Sequence, residues 1–284
     1  MKTIRIIPRL DIKGPNLVKG IHLEGLRVLG SPQQFAKYYY EQGADELFYQ
    51  DVVASLYDRN SLGDIISATA KSNFIPLTVG GGIRTIEDIK NLLRLGADKV
   101  CINTGAIKNP NLINEASKKF GSSTIVVAIE AIKQSTGEHM AYVDNGREHT
   151  GIEVVSWAKK CEELGAGEIV ITSVDKEGTG KGYDIELIKS ITTAVDIPVI
   201  AHGGAGKMED LIDPVKIAHA DALCMGSILH YGYIQSDEYQ IAGDIQEGNR
   251  KFITGQNKSF GKIIPTTISE IKKFMLSNSL IVRI

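Results

Sequence analysis

Apolar and polar positions along the chain follow two alternating patterns. Short runs rich in valine, isoleucine and other apolar residues predict eight strands, at residues 4–11, 46–52, 75–80, 99–103, 124–130, 168–174, 197–203 and 221–227. Between these runs, segments such as 85–96 carry apolar residues at the spacing of a helix that buries one face. Eight strands alternating with helices predict an α/β fold with a parallel sheet, and their number favours a closed (β/α)8 TIM barrel over an open sheet.

The chain also contains an internal repeat. Residues 43–51 resemble residues 165–173, and residues 75–89 resemble residues 197–211. Both pairs are offset by 122 positions, because Glu46 corresponds to Glu168 and Pro76 corresponds to Pro198. This offset is about half of the predicted barrel, so the repeat predicts two (β/α)4 halves.

Two segments interrupt the alternation of strands and helices. Residues 132–150 follow the fifth strand and contain Asn145-Gly146, which predicts a β-hairpin. Residues 232–265 separate the eighth strand from the last helix, and they are polar, rich in glycine and longer than an ordinary connection. The second segment is either a surface insertion or a lid, because loops that follow barrel strands border the catalytic face. We expect residues 1–284 to form a single barrel with this insertion.

The composition excludes several classes of function. The chain has 284 residues, 43% of them hydrophobic, and a net charge of −2, which gives no reason to expect binding to nucleic acid or to a membrane. No apolar run approaches the roughly 20 residues of a membrane helix, and the first residues become charged too early for a secretory signal. Cys101, Cys161 and Cys224 lack the spacing of metal ligands. We therefore expect buried free thiols, a cytoplasmic location, and no metal or cofactor.

Glycine clusters follow two predicted strands that correspond through the repeat. Glycine lets backbone N–H groups approach an anion, and the N-terminus of the following helix adds a favourable dipole. Either cluster alone could mark only a tight turn, but the neighbouring strand ends also match across the repeat. The sequence therefore predicts two phosphate sites, one at Gly81, Gly82, Asn103 and Thr104, and the other at Gly203, Gly204, Gly226 and Ser227.

Acidic residues end two strands that lie half a barrel apart. Asp11 ends the first strand and Glu130 the fifth, a placement that suits general acid–base catalysis on a substrate between them. A solvated acid at a strand end is the alternative for each. Lys19 follows the first strand, where it would neutralise a phosphate or a developing oxyanion, or be an ordinary loop lysine. Further candidates for substrate binding end the second and sixth strands or follow the sixth: Asp51, Thr172, Asp175, Glu177 and Gly178.

Four charged residues stand at the opposite end of the predicted barrel. Arg5, Glu46, Lys99 and Glu168 begin the first, second, fourth and sixth strands. Charges at strand starts are commonly solvated. Two acids and two bases on these strands would also be able to form one ring across the barrel floor, which would serve as a gate or a docking surface.

Seven motifs, taken together, resemble one family. In order and spacing, the chain is similar to the cyclase subunit family of imidazole glycerol phosphate synthase, HisF. The similarity runs from about residue 3 to residue 231 and resumes over the final helix. The motifs are LDIKGPNLVKG, ADELFYQDVVAS, LTVGGGIRT, GADKVCINT, VVAIEA, GAGEIVITSVDKEGTGKGYD and HGGAGKMEDL.

The resemblance implies an activity and a partner. Members of that family form a (β/α)8 barrel with a phosphate site in each half, and take ammonia from a glutaminase subunit, HisH, docked at the barrel floor. Ammonia reacts with the bisphosphorylated ribulosyl-formimino-carboxamide nucleotide PRFAR, giving imidazole glycerol phosphate and the aminoimidazole carboxamide nucleotide AICAR. By position, Asp11 matches the catalytic aspartate of the family and Lys19 its loop lysine. The two phosphate sites also match, and Arg5, Glu46, Lys99 and Glu168 match a ring that gates ammonia.

The departures from the family cluster at the catalytic end. The family has aspartate where this chain has Glu130 and Glu177, usually cysteine at Arg9, and serine at His202. Alternation along the first strand places Arg9 inside the barrel, one layer below Asp11. A buried arginine needs a partner, and Asp11 and Glu130 are the nearest candidates. Pairing with Glu130 would lower the pKa of that carboxyl group and make it a poor general acid.

Three hypotheses remain open from the sequence. The first is a HisF-type cyclase that works with a glutaminase subunit, with Asp11 as general base and Glu130 as general acid. The second is a paralogue that keeps the ammonia conduit but serves a sugar amidotransferase of surface-polysaccharide biosynthesis. The third is a non-catalytic protein that binds the glutaminase and activates it.

Overall fold

A computed structural model describes residues 2–54, 62–239 and 261–284. The described chain contains twelve strands joined in one sheet. They are β1 (Arg5–Lys13), β2 (Asn16–Ile21), β3 (Glu24–Gly30), β4 (Leu47–Asp51), β5 (Leu77–Gly80), β6 (Lys99–Ile102), β7 (Ile125–Lys133), β8 (His139–Val143), β9 (Glu148–Glu153), β10 (Glu168–Ser173), β11 (Val199–His202) and β12 (Ala222–Met225).

Eight of these strands form a closed parallel barrel. Their order is β1, β4, β5, β6, β7, β10, β11 and β12, and β12 pairs again with β1 to close the ring. Each of the eight coincides with one of the apolar runs, so the predicted (β/α)8 TIM barrel is confirmed. Within the described parts of the chain, no helix is both long and apolar enough to cross a membrane.

Helices follow the barrel strands and pack outside them. They are α1 (Pro32–Glu41), α2 (Gly63–Ser72), α3 (Ile86–Arg94), α4 (Thr104–Lys108), α5 (Asn111–Phe120), α6 (Val154–Glu163), α7 (Ile185–Thr192), α8 (Asp213–Lys216), α9 (Ser227–Gln235) and α10 (Ile268–Ser277). Short 3-10 helices span Ser122–Thr124 and Met208–Leu211. The sequence sets some of their starts: Thr85 begins α3 because its hydroxyl accepts the Asp88 N–H while the Asp88 carboxylate accepts the Thr85 N–H.

Two separate apolar clusters occupy the two faces of the barrel wall. The larger cluster fills the space between strands and helices. The smaller one, called the interior layer below, fills the inside of the barrel, and it contains Ile7, Phe48, Cys101, Val126, Ala128, Val170, Ile200, Ala222 and Cys224. Side chains alternate across each strand, so the residues just above and below this layer also point into the barrel.

Antiparallel hairpins extend the first strand of each half-barrel. The predicted hairpin is confirmed as β8 and β9, which continue from β7 and turn at Asn145-Gly146. Its counterpart, β2 and β3, follows β1 and was not predicted. The two central residues of its turn are His22 and Leu23, which adopt the left-handed conformation with φ of 54° and 61°. Glycine or asparagine usually occupies such positions and would have indicated a hairpin in the sequence.

Residues 232–265 were predicted to be an insertion or a lid. Residues 232–235 form the end of α9. Ile264, which lies shortly before α10, donates its N–H to the Gly206 carbonyl. Residues 240–260 lie outside the described residues. The choice between insertion and lid stays a prediction.

A buried ion pair fastens the last helix to the barrel. Lys272 of α10 contacts Asp45 Oδ1 at 2.9 Å and donates to the Gly43 carbonyl, while Asp45 Oδ2 accepts the Ile6 N–H at 2.7 Å. Asp45→Ala leaves the Lys272 ammonium buried without its anion, so we expect a loss of about 3 kcal/mol in the free energy of unfolding. Urea unfolding measures this loss. Glu87→Ala, which breaks an exposed pair with Lys90, should cost less than about 0.5 kcal/mol, and an equal cost for both variants would contradict the prediction.

Candidate active site

A cavity of about 220 Å³ opens at the carboxyl ends of the barrel strands. Its rim and walls come mainly from β4, β5, β6 and β7 and from the loops that follow them. Its bottom is formed by Arg9 with Cys101 and Ala128, which belong to the interior layer. The predicted site residues that line it are Asp51, Gly81, Gly82, Asn103, Thr104, Glu130 and Thr172.

The first predicted phosphate site forms one end of this cavity. Gly81 has a φ of 107°, and a Cβ atom there would lie 2.4 Å from the Asp51 carbonyl oxygen, so only glycine fits. Asn103 and Thr104 face the turn of the β8–β9 hairpin, where Thr104 Oγ1 lies 3.4 Å from Asp144 Oδ1. Asn103 Oδ1 is buried and has no hydrogen-bond partner among the described residues. The four predicted residues therefore lie together along one end of the cavity.

The second predicted phosphate site lies outside this cavity. Gly203 and Gly204 pack beneath the loop that follows β10, and a Cβ atom on Gly204 would lie 2.1 Å from the Gly182 carbonyl oxygen. Ser227 is buried at the start of α9. A Cβ atom on Gly226 would lie 3.5 Å from Lys19 Cε, so Gly226 borders the cluster around Lys19. Of the described residues that line the cavity, none comes from this set, and its role stays a prediction.

Asp11 lies within a buried cluster of charges. Arg9 Nε donates to Asp11 Oδ1 at 2.8 Å, and Lys19 Nζ lies 3.5 Å from Asp11 Oδ2. Burial alone would raise the pKa of Asp11, but Arg9 and Lys19 together hold it well below its ordinary value. Asp11 therefore remains ionised at neutral pH, with both carboxylate oxygens facing cations.

Lys19 is part of a strand, which the sequence did not indicate. It lies in β2, is buried, and forms a close ion pair with Glu177 in addition to its contact with Asp11. Burial acts to lower the pKa of Lys19, and the Glu177 and Asp11 carboxylates outweigh this and raise it. Glu177 in turn accepts the Leu23 N–H at 3.1 Å. These contacts fasten the loop after β10 onto the β2–β3 hairpin.

The remaining candidates from the second and sixth strand ends have different surroundings. Asp51 lines the cavity and accepts the Val53 N–H at 3.0 Å. Thr172 Oγ1 lies 3.1 Å from His202 Nδ1 at the cavity wall. Gly178 packs against the β2–β3 hairpin, since a Cβ atom there would lie 2.6 Å from the Gly20 carbonyl oxygen. Asp175 accepts the Lys133 N–H at 2.8 Å and does not line the cavity.

Arg9 pairs with Asp11 and not with Glu130. Besides its bond to Asp11, its Nη1 atom lies 3.5 Å from His202 Nδ1, and its guanidinium carbon lies 5.6 Å from the centre of the Phe48 ring. Two cations, Arg9 and Lys19, thus face two carboxylates, Asp11 and Glu177. Among the residues that the structure describes, no cation forms a direct ion pair with Glu130.

Glu130 lines the cavity and is buried. Its Oε2 atom accepts the Gly146 N–H at 2.8 Å, from the turn of the β8–β9 hairpin. Burial raises the pKa of Glu130 to about 7, although the Arg9 charge and the Gly146 bond oppose the increase. An acid with this pKa exchanges protons near neutral pH, which is the property that general acid–base catalysis requires.

Four charges close the floor of the barrel in a ring. Arg5 Nη1 lies 2.6 Å from Glu46 and 2.8 Å from Glu168, and Lys99 Nζ lies 3.2 Å and 3.0 Å from the same two carboxylates. Each carboxylate therefore contacts both cations. The ring lies beneath the interior layer, at the opposite end of the barrel from the cavity. Its role as a gate stays a prediction.

Some residues of the cavity were missed from the sequence. The hairpin turn contributes Asn145 to the lining and the Gly146 N–H to Glu130, and Arg84 and Lys108 also line the cavity. The position of the hairpin after the fifth strand was a signal for the turn residues, because loops at that end surround the active site of a barrel. Arg84 and Lys108 follow the glycine and Asn103-Thr104 segments, but nothing in the local pattern distinguishes them from ordinary surface cations.

Comparisons with known proteins agree on one family. A family model described as histidine biosynthesis protein matches residues 5–235. The imidazole glycerol phosphate synthase subunit HisF of Legionella pneumophila is 58% identical over 210 residues, 74% of this chain and 99% of that protein. The subunit HisF of Lactococcus lactis subsp. lactis is 48% identical over 84% of this chain and 92% of its own. That of Prochlorococcus marinus strain MIT 9515 is 45% identical over 100% of this chain and 98% of its own.

Proposed function

This chain belongs to the histidine biosynthesis protein family, and on that premise we propose that it is the cyclase subunit of imidazole glycerol phosphate synthase. In this role it converts PRFAR and ammonia into imidazole glycerol phosphate and AICAR, a lyase-type cyclisation in the biosynthesis of histidine. The observation that carries the proposal is the position of Glu130. It places an acid with a pKa of about 7 in the cavity, above an apolar barrel interior that ends in a charged ring.

The proposed chemistry divides two roles between two carboxylates. Glu130 exchanges a proton with the substrate, because it is partly protonated at neutral pH and lines the cavity. Asp11 stays ionised between Arg9 and Lys19 and acts as the base, or orients those cations. Gly81, Gly82, Asn103 and Thr104 would bind one phosphate of the substrate, and the set around Gly203, Gly204, Gly226 and Ser227 would bind the other.

The floor ring suggests how ammonia arrives. The named relatives are subunits of a synthase, which supports a complex for this chain as well. We propose a heterodimer with a HisH-like glutaminase docked at the barrel floor. Ammonia would pass the ring of Arg5, Glu46, Lys99 and Glu168 and cross the interior layer, which offers it an uncharged path.

Removal of one ring cation tests this path. Lys99→Met leaves Arg5 alone between Glu46 and Glu168, so the ring opens on one side. We expect glutamine-dependent turnover with the partner to fall relative to turnover supported by added ammonium salt, because ammonia then escapes at the opened floor. The measurement is the ratio of the two rates. Lys118→Met, a surface lysine of α5, is the matched control, and an unchanged ratio in Lys99→Met would count against the conduit.

A second function is favoured by one specific contact. Arg9 donates a hydrogen bond to Asp11, whereas the resemblance to the HisF family implies cysteine at position 9. This arrangement suits the paralogue in which ammonia passes through the barrel to a sugar amidotransferase and is not used for cyclisation. Ammonia transfer to a sugar acceptor, with none to PRFAR, would establish this alternative. Activation of the glutaminase without either transfer would instead identify a non-catalytic activator.

Turnover of PRFAR by the purified chain decides between these functions. Added ammonium salt replaces the partner, so the assay isolates the chemistry of the cavity. Formation of imidazole glycerol phosphate and AICAR in equal amounts is the expected result, and its absence at saturating ammonia would remove the cyclase proposal.

A further inference from the structure

Arg9 lies where the cavity meets the interior layer. It lines the cavity bottom beside Cys101 and Ala128, and both of these residues belong to the interior layer. Its side chain is buried, with 4% of the residue exposed. A ligand that fills the cavity to its bottom therefore reaches Arg9.

Two neighbours fix the orientation of this guanidinium group. Asp11 binds Nε at 2.8 Å, and His202 Nδ1 lies 3.5 Å from Nη1. Burial, together with the charge of Arg9, keeps His202 neutral by lowering its pKa well below the ordinary value. Because Arg9 only donates hydrogen bonds, Nδ1 accepts, and the His202 proton resides on Nε2. Thr172 Oγ1, at 3.1 Å, then also donates to Nδ1. The guanidinium group is thus held in place before any ligand binds.

Arg9 lines the cavity and has donors beyond those in its hydrogen bonds to described residues. A guanidinium group has five N–H donors, and the hydrogen bonds of Arg9 to described residues engage Nε and Nη1. Nη2 remains available to a ligand. The cluster of Arg9, Lys19, Asp11 and Glu177 is already neutral overall, so the structure explains the position of Arg9 without requiring a further protein anion.

We propose that Arg9 is a specificity-determining residue that binds an oxygen atom of the substrate at the bottom of the cavity. The substrate class is a bisphosphorylated sugar derivative with a carbonyl or carboxylate oxygen between its two phosphates. This inference rests on the proposed function only because it assumes a bisphosphate ligand. The contact with Arg9 would place the carbonyl carbon of such a ligand directly above the interior layer, where ammonia would emerge.

Binding of two matched ligands tests the proposal without any turnover. The probes are 2-carboxyarabinitol 1,5-bisphosphate and arabinitol 1,5-bisphosphate, which differ by one carboxylate at the second carbon. We expect the chain to bind the carboxylated probe about 10-fold to 100-fold more tightly, since a hydrogen bond to a charged group contributes on that order. Isothermal titration calorimetry measures both dissociation constants.

Variants separate a direct contact from a change of local charge. Arg9→Cys, which replaces the guanidinium group with a small uncharged side chain, should abolish the preference for the carboxylated probe. The double variant Arg9→Cys/Asp11→Asn keeps the charge balance of the cluster and should also lack the preference. Arg9→Lys should retain part of it. Each variant is first checked for a cooperative thermal unfolding transition.

Contrary outcomes overturn the proposal separately from the function. Equal binding of the two probes by the unaltered chain, or binding of neither, would refute a role of Arg9 in recognition. A preference that survives in the double variant would refute it as well. PRFAR turnover without any probe preference would leave the cyclase function standing and remove only the role of Arg9. Probe preference without PRFAR turnover would support the role of Arg9 and remove the cyclase function.

Discussion

Replacement of Glu130 with glutamine is expected to reduce ammonium-dependent turnover of PRFAR by at least about 100-fold. Glutamine has the same size and its side-chain oxygen still accepts the Gly146 N–H, so the cavity keeps its shape. The variant loses only the proton that Glu130 exchanges near pH 7. Steady-state rates at saturating PRFAR measure the effect. Glu148→Gln, at an exposed position of the same hairpin, should leave the rate unchanged.

The pH dependence of turnover distinguishes the role of Glu130 from a purely structural one. If Glu130 is the general acid, the rate at constant free ammonia falls as the pH rises through about 7, because the carboxyl group loses its proton there. This inflection should be absent in the Glu130→Gln variant. Glu130→Asp keeps a carboxyl group and should retain an inflection. A flat profile for the unaltered chain, or an equal inflection in Glu130→Gln, would contradict the assignment.

Ionisation of Glu130 also lowers the stability of the fold, which gives a control for unfolding in the Glu130→Gln variant. The pKa of Glu130 rises from 4.5 to about 7 in the folded chain. Its contribution to stability is therefore fully present below pH 4.5 and is lost as the pH rises through about 7. Since Glu130→Gln cannot ionise, the variant should be at least as stable as the unaltered chain above pH 7. A loss of activity in this variant would thus not reflect unfolding.

Asp11→Asn is expected to abolish cyclisation and to destabilise the fold. Without the Asp11 charge, Glu177 alone faces the buried cations Arg9 and Lys19. An uncompensated buried charge costs about 3 to 5 kcal/mol, and the resulting shift of Arg9 and Lys19 should lower turnover on the order of 100-fold or more, because displacements of about 1 Å have such effects. Urea unfolding and PRFAR turnover measure the two losses.

A double variant tests the cause of the lost stability. Arg9→Cys/Asp11→Asn removes one cation and one anion, so Lys19 and Glu177 again balance each other. We expect it to recover much of the stability lost in Asp11→Asn, as a coupling between residues in direct contact. Near-normal turnover in Asp11→Asn would refute the assigned role of Asp11, and additive losses in the double variant would refute the account of the charge balance.

The sequence predicted the barrel because its local signals agree with the fold. Each barrel strand is a short apolar run, and the repeat offset of 122 positions relates strand ends that correspond in the two halves. The β2–β3 hairpin was missed because His22 and Leu23 occupy the left-handed positions of its turn, where glycine or asparagine would have marked it. As a consequence, Lys19 was assigned to a loop although it belongs to a strand.

The chemistry of the site depended on contacts that a sequence does not specify. Alternation along β1 correctly placed Arg9 and Asp11 inside the barrel, but Glu130 was an equally near partner for Arg9 by that reasoning. The choice of Asp11 follows from Lys19 and Glu177, which complete a neutral cluster on that side. The raised pKa of Glu130 follows from its burial and from the absence of a direct cationic partner for it in this cluster, among the residues that the structure describes.

Cyclisation of PRFAR with ammonia is the reaction on which the proposed function depends. The most direct measurement supplies the purified chain with PRFAR and saturating ammonium salt, without a glutaminase, and quantifies imidazole glycerol phosphate and AICAR. We expect both products to form at equal rates, and Glu130→Gln nearly to stop their formation. No product from a folded chain that binds the bisphosphate probes would contradict it.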